Sequence, residues 1–370
     1  MVVVRYCNSC TKANKPLLFF AIRVSSLGGG FLVKIFMKIQ LVPGFLNIIS
    51  LDNLLEAWKE FVCGKRNRTD VQEFSLNLME NIFALHYELI NGTYKHGGYQ
   101  AFKINDPKPR DIHKALVRDR LVHHAIYRVI YTFFDRTFMS DSYSCRVNKG
   151  THKAINQFRK FAWKVSRNNT CTAWILKCDI KKFFASINHE ILFKNLGSYI
   201  QDPDLLNLLC GIIESFSSKP GTGLPLGNLT SQLFVNIYMN EFDQFVKHKL
   251  RAEFYIRYAD DFVILSRDKK WLGGILAIMQ EFLKEKLKLE LHPDKLSIKT
   301  LFSGMDFLGW VHFFDHRVLR TSTKRRMFQK LKKNNSPSVL DSYLGLLGHG
   351  NAFELSNYLN LFRDSSLRSE

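Results

Sequence analysis

Three aspartates have the residue type and the surroundings of a metal centre. Asp179 ends a short apolar run, and Asp260 and Asp261 stand side by side between two further apolar runs. Two adjacent carboxylates at a tight turn repel each other, and divalent cations would neutralise them because hard oxygen ligands suit Mg²⁺. The alternative is that Asp-Asp is only a turn former, since aspartate is common in turns. The pattern therefore predicts a cation site, with a plain turn as its rival.

The elements that would position these acids are predicted from residue spacing. Residues Trp174–Cys178 form a short apolar strand that leads into Asp179. Residues Phe254–Tyr258 and Phe262–Leu265 form two strand-like runs, so that Asp260 and Asp261 sit at the tip of a hairpin. Between the two acidic positions, a glycine-rich loop at Gly221–Gly227 precedes a segment whose aromatic residues recur at helical spacing, which predicts a long helix.

The rest of the chain is predicted to be mostly helical. A capping box at Thr69 and Gln72 is expected to open the second helix of the chain. The other predicted elements are a helix from Leu54 to Val62, one face of a helix from Phe74 to Leu89, a basic hairpin within Tyr94–Asp111, a helix through Leu121 and Phe133, a helix from Leu272 to Leu289, an extended run from Phe307 to Phe314, and a basic helical end from Lys324 onward.

Composition points to a folded, basic protein of a reducing compartment. The 370 residues are 46% apolar, which excludes disorder as the main state, and carry a net charge of +20. Such a surplus favours nucleic acid as the partner. Seven widely spaced cysteines argue against a disulfide framework and for the cytoplasm. Cys7 and Cys10 form a CxxC pair without a second nearby pair, so no zinc site is expected.

The N-terminal segment does not conform to the rest. Its apolar residues are interrupted by Arg23, Lys34 and three consecutive glycines, a pattern that fits neither a membrane span nor a signal peptide. We interpret residues 1–36 as an extension that precedes a start at Met37, with a weak membrane anchor as the alternative. No stable association with a membrane is expected.

Taken together, Asp179, the glycine loop with its helix and Tyr258-Ala259-Asp260-Asp261 resemble the palm of a reverse transcriptase, in that family's order. The resemblance extends over roughly residues 100–350, and its strength lies in the set of motifs rather than in any one of them. It implies an α+β, right-hand polymerase fold. It also implies that residues 37–320 form fingers and palm, with an antiparallel sheet and helices, and that residues 321–370 form a short helical thumb.

The same resemblance assigns the catalytic roles. Asp179 and Asp260 would hold two Mg²⁺ ions, with Mn²⁺ as a substitute, Asp261 would be the third acid, and the carbonyl of Ile180 would complete the ligands. In two-metal catalysis one ion activates a primer 3′-hydroxyl and the other steadies the pyrophosphate leaving group. Lys295 resembles the lysine that protonates departing pyrophosphate, with a phosphate contact as the alternative.

Further positions match those that bind the incoming dNTP in this family. Lys103, Lys108 and Arg110 resemble the basic residues that grip the triphosphate, although a solvated basic tip is the alternative. Phe184 matches the aromatic residue that excludes a 2′-hydroxyl, and the alternative is a core phenylalanine, since Phe183 is adjacent.

Template and primer contacts are assigned by the same resemblance. Arg146 and His152 lie in a segment that resembles the connection between fingers and palm. Phe307-Leu308-Gly309-Trp310 resembles the strand that holds the primer end, which makes Phe307, Leu308 and Gly309 candidate contacts.

The loop that would touch the nascent base pair departs from the usual family pattern. Most reverse transcriptases have Gln-Gly-x-x-x-Ser-Pro there, whereas this chain has Leu226 for Gln, followed by Gly227, and Gln232 for Pro. This departure resembles the reverse transcriptases of diversity-generating retroelements, as do Ser342–Gly345 and Gly348-His349 near the C-terminus. The resemblance implies error-prone cDNA synthesis, and an apolar Leu226 would supply no hydrogen bond that checks base-pair geometry.

The expected partners are a template RNA, a primer or cDNA, dNTPs and a small basic accessory protein encoded nearby. One rival is a retron or phage-defence reverse transcriptase that makes a short fixed cDNA. A rival from another class is a catalytically silent RNA-binding protein on a polymerase fold, which the basic charge alone would permit.

Overall fold

The computed structural model describes residues 19–23, 32–36, 40–41, 44–105, 109–334 and 336–367. Its sheets are antiparallel and are combined with helices, so the expected α+β class is confirmed. Of the predicted N-terminal extension only two paired strands are described, and Met37, Cys7, Cys10 and Lys108 lie outside the described residues.

The strands form two hairpins, one three-stranded sheet and one four-stranded sheet. They are β1 (Phe19–Arg23), β2 (Leu32–Phe36), β3 (Tyr99–Ile104), β4 (Arg110–Ala115), β5 (Trp174–Asp179), β6 (Phe254–Tyr258), β7 (Asp261–Ser266), β8 (Ser297–Thr300), β9 (Met305–Phe307), β10 (Trp310–His312) and β11 (Arg317–Leu319).

The helices are α1 (Phe45–Ile49), α2 (Leu51–Val62), α3 (Thr69–Leu76), α4 (Leu78–Ile90), α5 (Val117–Thr137), α6 (Thr151–Val165), α7 (His189–Gly197), α8 (Pro203–Glu214), α9 (Leu229–Gln244), α10 (Lys269–Leu287), α11 (Thr321–Lys333), α12 (Pro337–Leu347) and α13 (Phe353–Leu367). Helix α9 continues into one π-helical turn, Phe245–Lys249, and short 3₁₀ turns occur at Phe183–Ser186, Pro293–Lys295 and Leu301–Ser303. Within the described ranges, no helix combines the length and the apolar character that a membrane crossing requires.

The chain divides into two compact units, each built from separate stretches of sequence. The first unit comprises residues 1–104, 109–139 and 182–241, and the second comprises residues 105–108, 140–181 and 242–370. The first unit contains α2 and α5, which pack against each other, and the β3–β4 hairpin. The predicted domain limits at residues 37, 320 and 321 stay a prediction.

The core of the second unit is the four-stranded sheet, in the order β6-β7-β5-β8. Apolar residues of β5 and β7, such as Ile175 and Val263, are fully buried and form one cluster with Phe158 of α6. A continuous apolar run is typical of a strand that is covered on both faces. The C-terminal helices form a second cluster around Trp310, Met327 and Leu340.

Three local predictions were wrong. Thr69 is the first helical residue of α3 and Arg68 is its N-cap without a side-chain bond, so the predicted capping box is absent. The predicted helix through Phe74 and Leu89 breaks at Asn77, whose φ and ψ of −118° and 45° are not helical.

The third wrong prediction concerns the extended run from Phe307 to Phe314. Leu308 and Gly309 have φ values of 51° and 88° and form a two-residue turn between β9 and β10. Two consecutive left-handed residues are the geometry that joins the strands of a tight hairpin, and glycine adopts it without strain.

Candidate active site

Backbone pairing in the second unit brings the three aspartates together. Asp179 at the end of β5 pairs directly with Asp261 at the start of β7. Residues that face each other in an antiparallel pair have Cα atoms about 4.5–5.5 Å apart. Ala259, with a φ of 57°, turns the chain between β6 and β7, and the carbonyl of Asp260 accepts a 3.1 Å hydrogen bond from the amide of Ile180. The hairpin tip and the strand end therefore form one acidic edge.

The electrostatics of this edge suit a cation. Burial raises the pKa of Asp261 to about 7, and the charges of Asp179 and Asp260 act in the same direction, while the Lys177 ammonium opposes them. The Oδ1 atom of Asp261 is buried and has no hydrogen-bond partner. A buried acceptor without a partner is costly, so a bound cation would stabilise this carboxylate.

Two lysines reach the acidic edge. The Nζ atom of Lys295 donates a 2.7 Å hydrogen bond to Oδ1 of Asp179. The Nζ atom of Lys177 lies 3.8 Å from Oδ2 of Asp261 and donates to the carbonyl of Asp306 at 2.6 Å. Lys295 is the last residue of the 3₁₀ turn that begins at Pro293, and the amide of His292 donates to the carbonyl of Asp179 at 2.7 Å. The structure thus places the predicted Lys295 at the carboxylates.

In the part of the chain that the structure describes, no cluster of three or more histidine, cysteine, aspartate or glutamate side chains has the arrangement of a formed metal site. The residues of the acidic edge nevertheless fit a divalent ion in two respects. Their donor atoms are carboxylate oxygens, which hard cations prefer. The unpartnered, buried oxygen of Asp261 is the kind of atom that such an ion would satisfy.

A buried ion pair supports the hairpin tip from below, and sequence reasoning missed it. Arg257 of β6 and Asp243 of α9 are both fully buried. The Nε and Nη2 atoms of Arg257 donate to the two carboxylate oxygens of Asp243 at 2.7 and 2.6 Å. Burial opposes the charge of the guanidinium, but Asp243 and Tyr255 raise the pKa of Arg257. The pair is thus charged and bidentate.

Further hydrogen bonds join Arg257 to the turn and to Ser142. Its Nη1 atom donates to the carbonyl of Ala259 at 3.1 Å, and its Nη2 atom also donates to the hydroxyl of Ser142 at 3.0 Å. The hydroxyl of Tyr255 completes the network by donating to Asp243 at 2.6 Å. The signal in the sequence was an arginine in the middle of an otherwise apolar strand, since a charged residue is almost never fully buried without a partner.

The basic hairpin of the first unit does not present its predicted residues on one face. Ile104 pairs with Arg110, and Lys103 pairs with Asp111. Paired residues of an antiparallel ladder share a face and neighbours along a strand alternate, so Lys103 and Arg110 lie on opposite faces. Lys108, the third predicted residue, lies outside the described residues.

The glycine loop is attached to the hairpin strand β4 within the first unit. The amide of His113 donates to the carbonyl of Leu226 at 3.0 Å, and the side chain of Asn228 donates to the carbonyl of His113 at 3.0 Å. Gly227 has a φ of 106°, and a Cβ atom there would lie 2.8 Å from the side chain of Ile112. Ile112 shares its hairpin face with Arg110. The loop therefore packs against the face that carries Arg110.

Phe184 and Gln232 are both partly exposed. Phe183 is buried, so the alternative role as a core residue falls to Phe183 and not to Phe184. The carbonyl of Phe184 accepts a 2.8 Å hydrogen bond from the amide of Leu224, which fixes the aromatic residue relative to the glycine loop. Gln232 lies in the first turn of α9.

The predicted template and primer contacts differ in accessibility. The side chain of Phe307 is fully buried in the core of the second unit, so that side chain is not available to a primer. Leu308 and Gly309, at the turn, are partly exposed. Arg146 donates to the carbonyl of Ser142 at 3.0 Å, and the exposed ring of His152 stacks on His349 with centroids 3.6 Å apart.

Comparison with known proteins adds independent information. Residues 104–312, more than half of the chain, match the family model described as "Reverse transcriptase (RNA-dependent DNA polymerase)". This range includes the acidic edge, the second strand of the basic hairpin and the glycine loop.

Several curated proteins are similar in sequence. Protein YkfC of Escherichia coli K12 is 26% identical over 281 residues, which cover 64% of this chain and 71% of that protein. The group II intron-encoded protein LtrA of Lactococcus lactis is 24% identical over 308 residues, which cover 64% of this chain and 49% of LtrA. The chain thus spans about half the length of LtrA.

Among solved structures, a telomerase from Candida albicans in complex with a TWJ fragment of telomeric RNA aligns with a TM-score of 0.48. It is 13% identical, and the alignment covers 62% of this chain and 46% of that one. A telomerase from Candida tropicalis aligns with a TM-score of 0.46 and 13% identity, over 65% of this chain and 60% of that one.

Proposed function

We propose that this chain, which belongs to the reverse transcriptase family, uses an RNA template to extend a primer 3′-hydroxyl with deoxynucleotides. The expected enzyme class, an RNA-directed DNA polymerase, is confirmed at the level of the family. The presence of Asp179, Asp260 and Asp261 argues against the alternative of a catalytically silent RNA-binding protein.

The observation that carries the proposal is the acidic edge of the second unit. Asp179 and Asp261 are direct ladder partners, and Asp260 is bonded through its carbonyl to the residue after Asp179. An edge with three carboxylates in a chain of net charge +20 has few stable uses besides binding cations. Phosphoryl transfer to a primer hydroxyl needs such an edge, because the reaction depends on positioning and on neutralisation of charge.

Reverse transcriptases use divalent metal ions, and we propose Mg²⁺ here, with Mn²⁺ as a substitute. The ions would be held by Asp179 and Asp260, with Asp261 as the third acid and the carbonyl of Ile180 as a further ligand. When bound, they supply a lower pKa for the primer hydroxyl and neutralisation of the pyrophosphate charge.

Lys295 is the second charged element of the proposed reaction. Its ammonium, bonded to Asp179 at 2.7 Å, is partly exposed, so it can exchange the carboxylate for a phosphate oxygen. This position supports both roles considered for it, which are protonation of the departing pyrophosphate and a plain phosphate contact. A variant of Lys295 that still binds phosphate but cannot give up a proton separates the two roles. Loss of activity in that variant would indicate proton donation, and retained activity would indicate a phosphate contact.

The proposed binding of the dNTP rests on the first unit. Arg110 shares its hairpin face with Ile112, against which the glycine loop packs, and its fork suits a triphosphate. Leu226, Gly227 and Gln232 line the same loop and helix start. Phe184, whose carbonyl is bonded to that loop, is proposed to exclude a 2′-hydroxyl.

This sugar selection has a direct test. Replacing Phe184 by alanine or valine is expected to admit ribonucleotides in primer extension, while the same change at the buried Phe183 is expected to lower stability instead. Unchanged discrimination in the Phe184 variants would remove this role.

At finer resolution we propose error-prone cDNA synthesis for a diversity-generating retroelement, supported by Leu226 and Gln232 in place of the usual Gln and Pro. The partners would be a structured template RNA and a small basic accessory protein, and the compartment would be the cytoplasm. The remaining template and primer contacts would be Arg146, His152, Leu308 and Gly309. A retron-type enzyme that makes a fixed cDNA is the alternative.

One experiment tests both levels of the proposal. The protein is co-expressed with RNA from its own locus, and any cDNA is sequenced with errors scored by template base. The diversity-generating reverse transcriptases that this chain resembles misincorporate opposite template adenine. Errors concentrated at that base, and reduced in a Leu226→Gln variant, would therefore support the diversity-generating role. Faithful cDNA from the parent and the Leu226→Gln variant would favour the retron alternative. Absence of cDNA both here and in primer extension on a supplied RNA template would contradict the polymerase itself.

A further inference from the structure

The second unit contains a basic cavity that none of the three aspartates of the acidic edge lines. The cavity, of about 210 Å³, is bordered by α6, by the segment that joins β10 and β11, and by the turn that joins α12 and α13. Arg159, Arg317, His316 and His349 are among the residues that line it. None of the roles assigned above uses this cavity.

Arg317 is held rigidly at the cavity and keeps one donor without a partner. Its Nε atom donates to the carbonyl of His349, and its Nη2 atom donates to the side chain of Asn156 at 2.8 Å. Its guanidinium also lies 5.8 Å from the ring centre of Trp310. The Nη1 atom is buried without a hydrogen-bond partner. A buried donor in this state is costly, and an oxygen from a ligand would satisfy it.

The charge at the cavity is positive and poorly neutralised. Burial lowers the pKa of Arg317, and the nearby charge of Arg159 lowers it further, so the two guanidinium groups repel each other. Asp315 is the carboxylate that lines this cavity, but its side chain is 54% exposed and is bonded to His316 at 2.5 Å. An anion between the two arginines would relieve the repulsion.

Size and surroundings indicate which anion fits. Sites for whole drug-sized ligands have volumes of about 300 Å³ or more, so a cavity of about 210 Å³ suits a single phosphate group better than a nucleotide. His349, which accepts the hydrogen bond from Arg317, stacks on His152, a proposed template or primer contact. The cavity is thus continuous with a surface already proposed to meet nucleic acid.

We infer that Arg317 and Arg159 bind a backbone phosphate of the template–primer duplex in this cavity. The inference rests on the proposed function, because it needs a nucleic-acid substrate. The planar fork of Arg317, fixed by three contacts, would present its free Nη1 donor to a phosphate oxygen without a loss of side-chain freedom. Arg159 would supply the second charge from the exposed surface of α6.

The test compares duplex binding in three variants of the full chain by fluorescence anisotropy over a range of salt concentrations. Arg159→Gln removes one charge from an exposed position. Arg317→Lys keeps the charge but removes the fork. Arg267→Gln is the matched control, because Arg267 is exposed and follows β7 at the end away from Asp261.

We expect Arg317→Lys and Arg159→Gln each to weaken binding of an RNA–DNA duplex about tenfold. Arg159→Gln should also reduce the slope of log affinity against log salt by about one, as loss of one phosphate contact does. The control should change neither. If Arg317→Lys does not fold, Arg159→Gln alone decides the question.

Two results would overturn the inference. The first is a salt slope for Arg159→Gln that equals the slope of Arg267→Gln. The second is a higher KM for dNTPs in Arg317→Lys and Arg159→Gln together with unchanged duplex affinity. That result would assign the cavity to a free nucleotide, and competition by inorganic phosphate would then give a second measure of nucleotide binding there. Because duplex binding is measured without extension, a protein that binds duplex but does not polymerise would refute the proposed function and leave this site standing.

Discussion

Replacing Asp243 by asparagine should destabilise the second unit more than any other isosteric change in the buried network around Arg257. The substitution removes the negative charge that faces Arg257 and leaves the guanidinium fully buried without its counter-ion. Breaking a buried ion pair from one side costs about 3–5 kcal/mol. For a unit of this size that corresponds to a fall in Tm of about 6–20 °C.

The matched control is Tyr255→Phe, which removes only the hydroxyl that donates to Asp243 at 2.6 Å. Loss of that one hydrogen bond should cost about 2 kcal/mol. A double variant, Asp243→Leu with Arg257→Met, replaces the pair by apolar side chains and should be more stable than Asp243→Asn alone, because no buried charge remains.

Thermal unfolding followed by circular dichroism measures these differences, and primer extension separates stability from positioning. The double variant should recover stability but not activity. It lacks the Arg257 donor to the carbonyl of Ala259, so nothing holds the turn that carries the aspartates in that way. The reasoning is refuted if Asp243→Asn is no more destabilising than Tyr255→Phe. It is also refuted if the stable double variant polymerises as fast as the parent.

Three further predictions concern residues of the first unit. Gly227→Ala should raise the KM for dNTPs several-fold, because its φ of 106° and a Cβ at 2.8 Å from Ile112 force the loop off the hairpin; an unchanged KM would contradict that coupling. Arg110→Ala should raise the dNTP KM more than Lys103→Ala, because the two lie on opposite hairpin faces; equal effects would remove the distinction. Burial lowers the pKa of His123 to about 3, with His96, His124 and Arg120 nearby acting in the same direction. The unfolded protein therefore binds the extra proton as the pH falls below about 6.5, and the free energy of unfolding should drop by about 2 kcal/mol between pH 7 and pH 5 from this residue. A His123→Phe variant should show a fall smaller by that amount in urea unfolding, and an equal fall would show that His123 is not the cause.

The acidic edge could be predicted because each of its parts leaves a local trace in the sequence. Apolar runs of strand length flank Asp179 and the Asp260-Asp261 pair, and a two-strand hairpin with a tight turn needs no information from elsewhere in the chain. The long helix after the glycine loop was predicted for the same reason, since its aromatic residues recur at helical spacing.

What could not be predicted depends on tertiary contacts. The Arg257–Asp243 pair joins a strand and a helix, and the sequence of neither segment shows which residue of the other its charged residue pairs with. The face on which each residue of the basic hairpin lies depends on the strand register, and a shift of one residue would move it to the other face. The sequence alone therefore does not show that Lys103 and Arg110 lie on opposite faces. The sequence predicts a strand across the turn at Leu308-Gly309 because the neighbouring residues are apolar. It predicts a capping box at Thr69, which is absent because the helix begins one residue earlier than that motif requires.

The most direct test of the central claim is primer extension on an RNA template with Asp179→Asn and Asp260→Asn, each isosteric and each without the negative charge. Asp294→Asn is the matched control, because Asp294 lies next to Lys295 and its side chain is 87% exposed. We predict that both site variants bind template–primer as the parent does but lose kcat by on the order of a thousandfold or more, while the control keeps parental activity. Extension by either site variant within about tenfold of the parent would contradict the assignment of these carboxylates to catalysis.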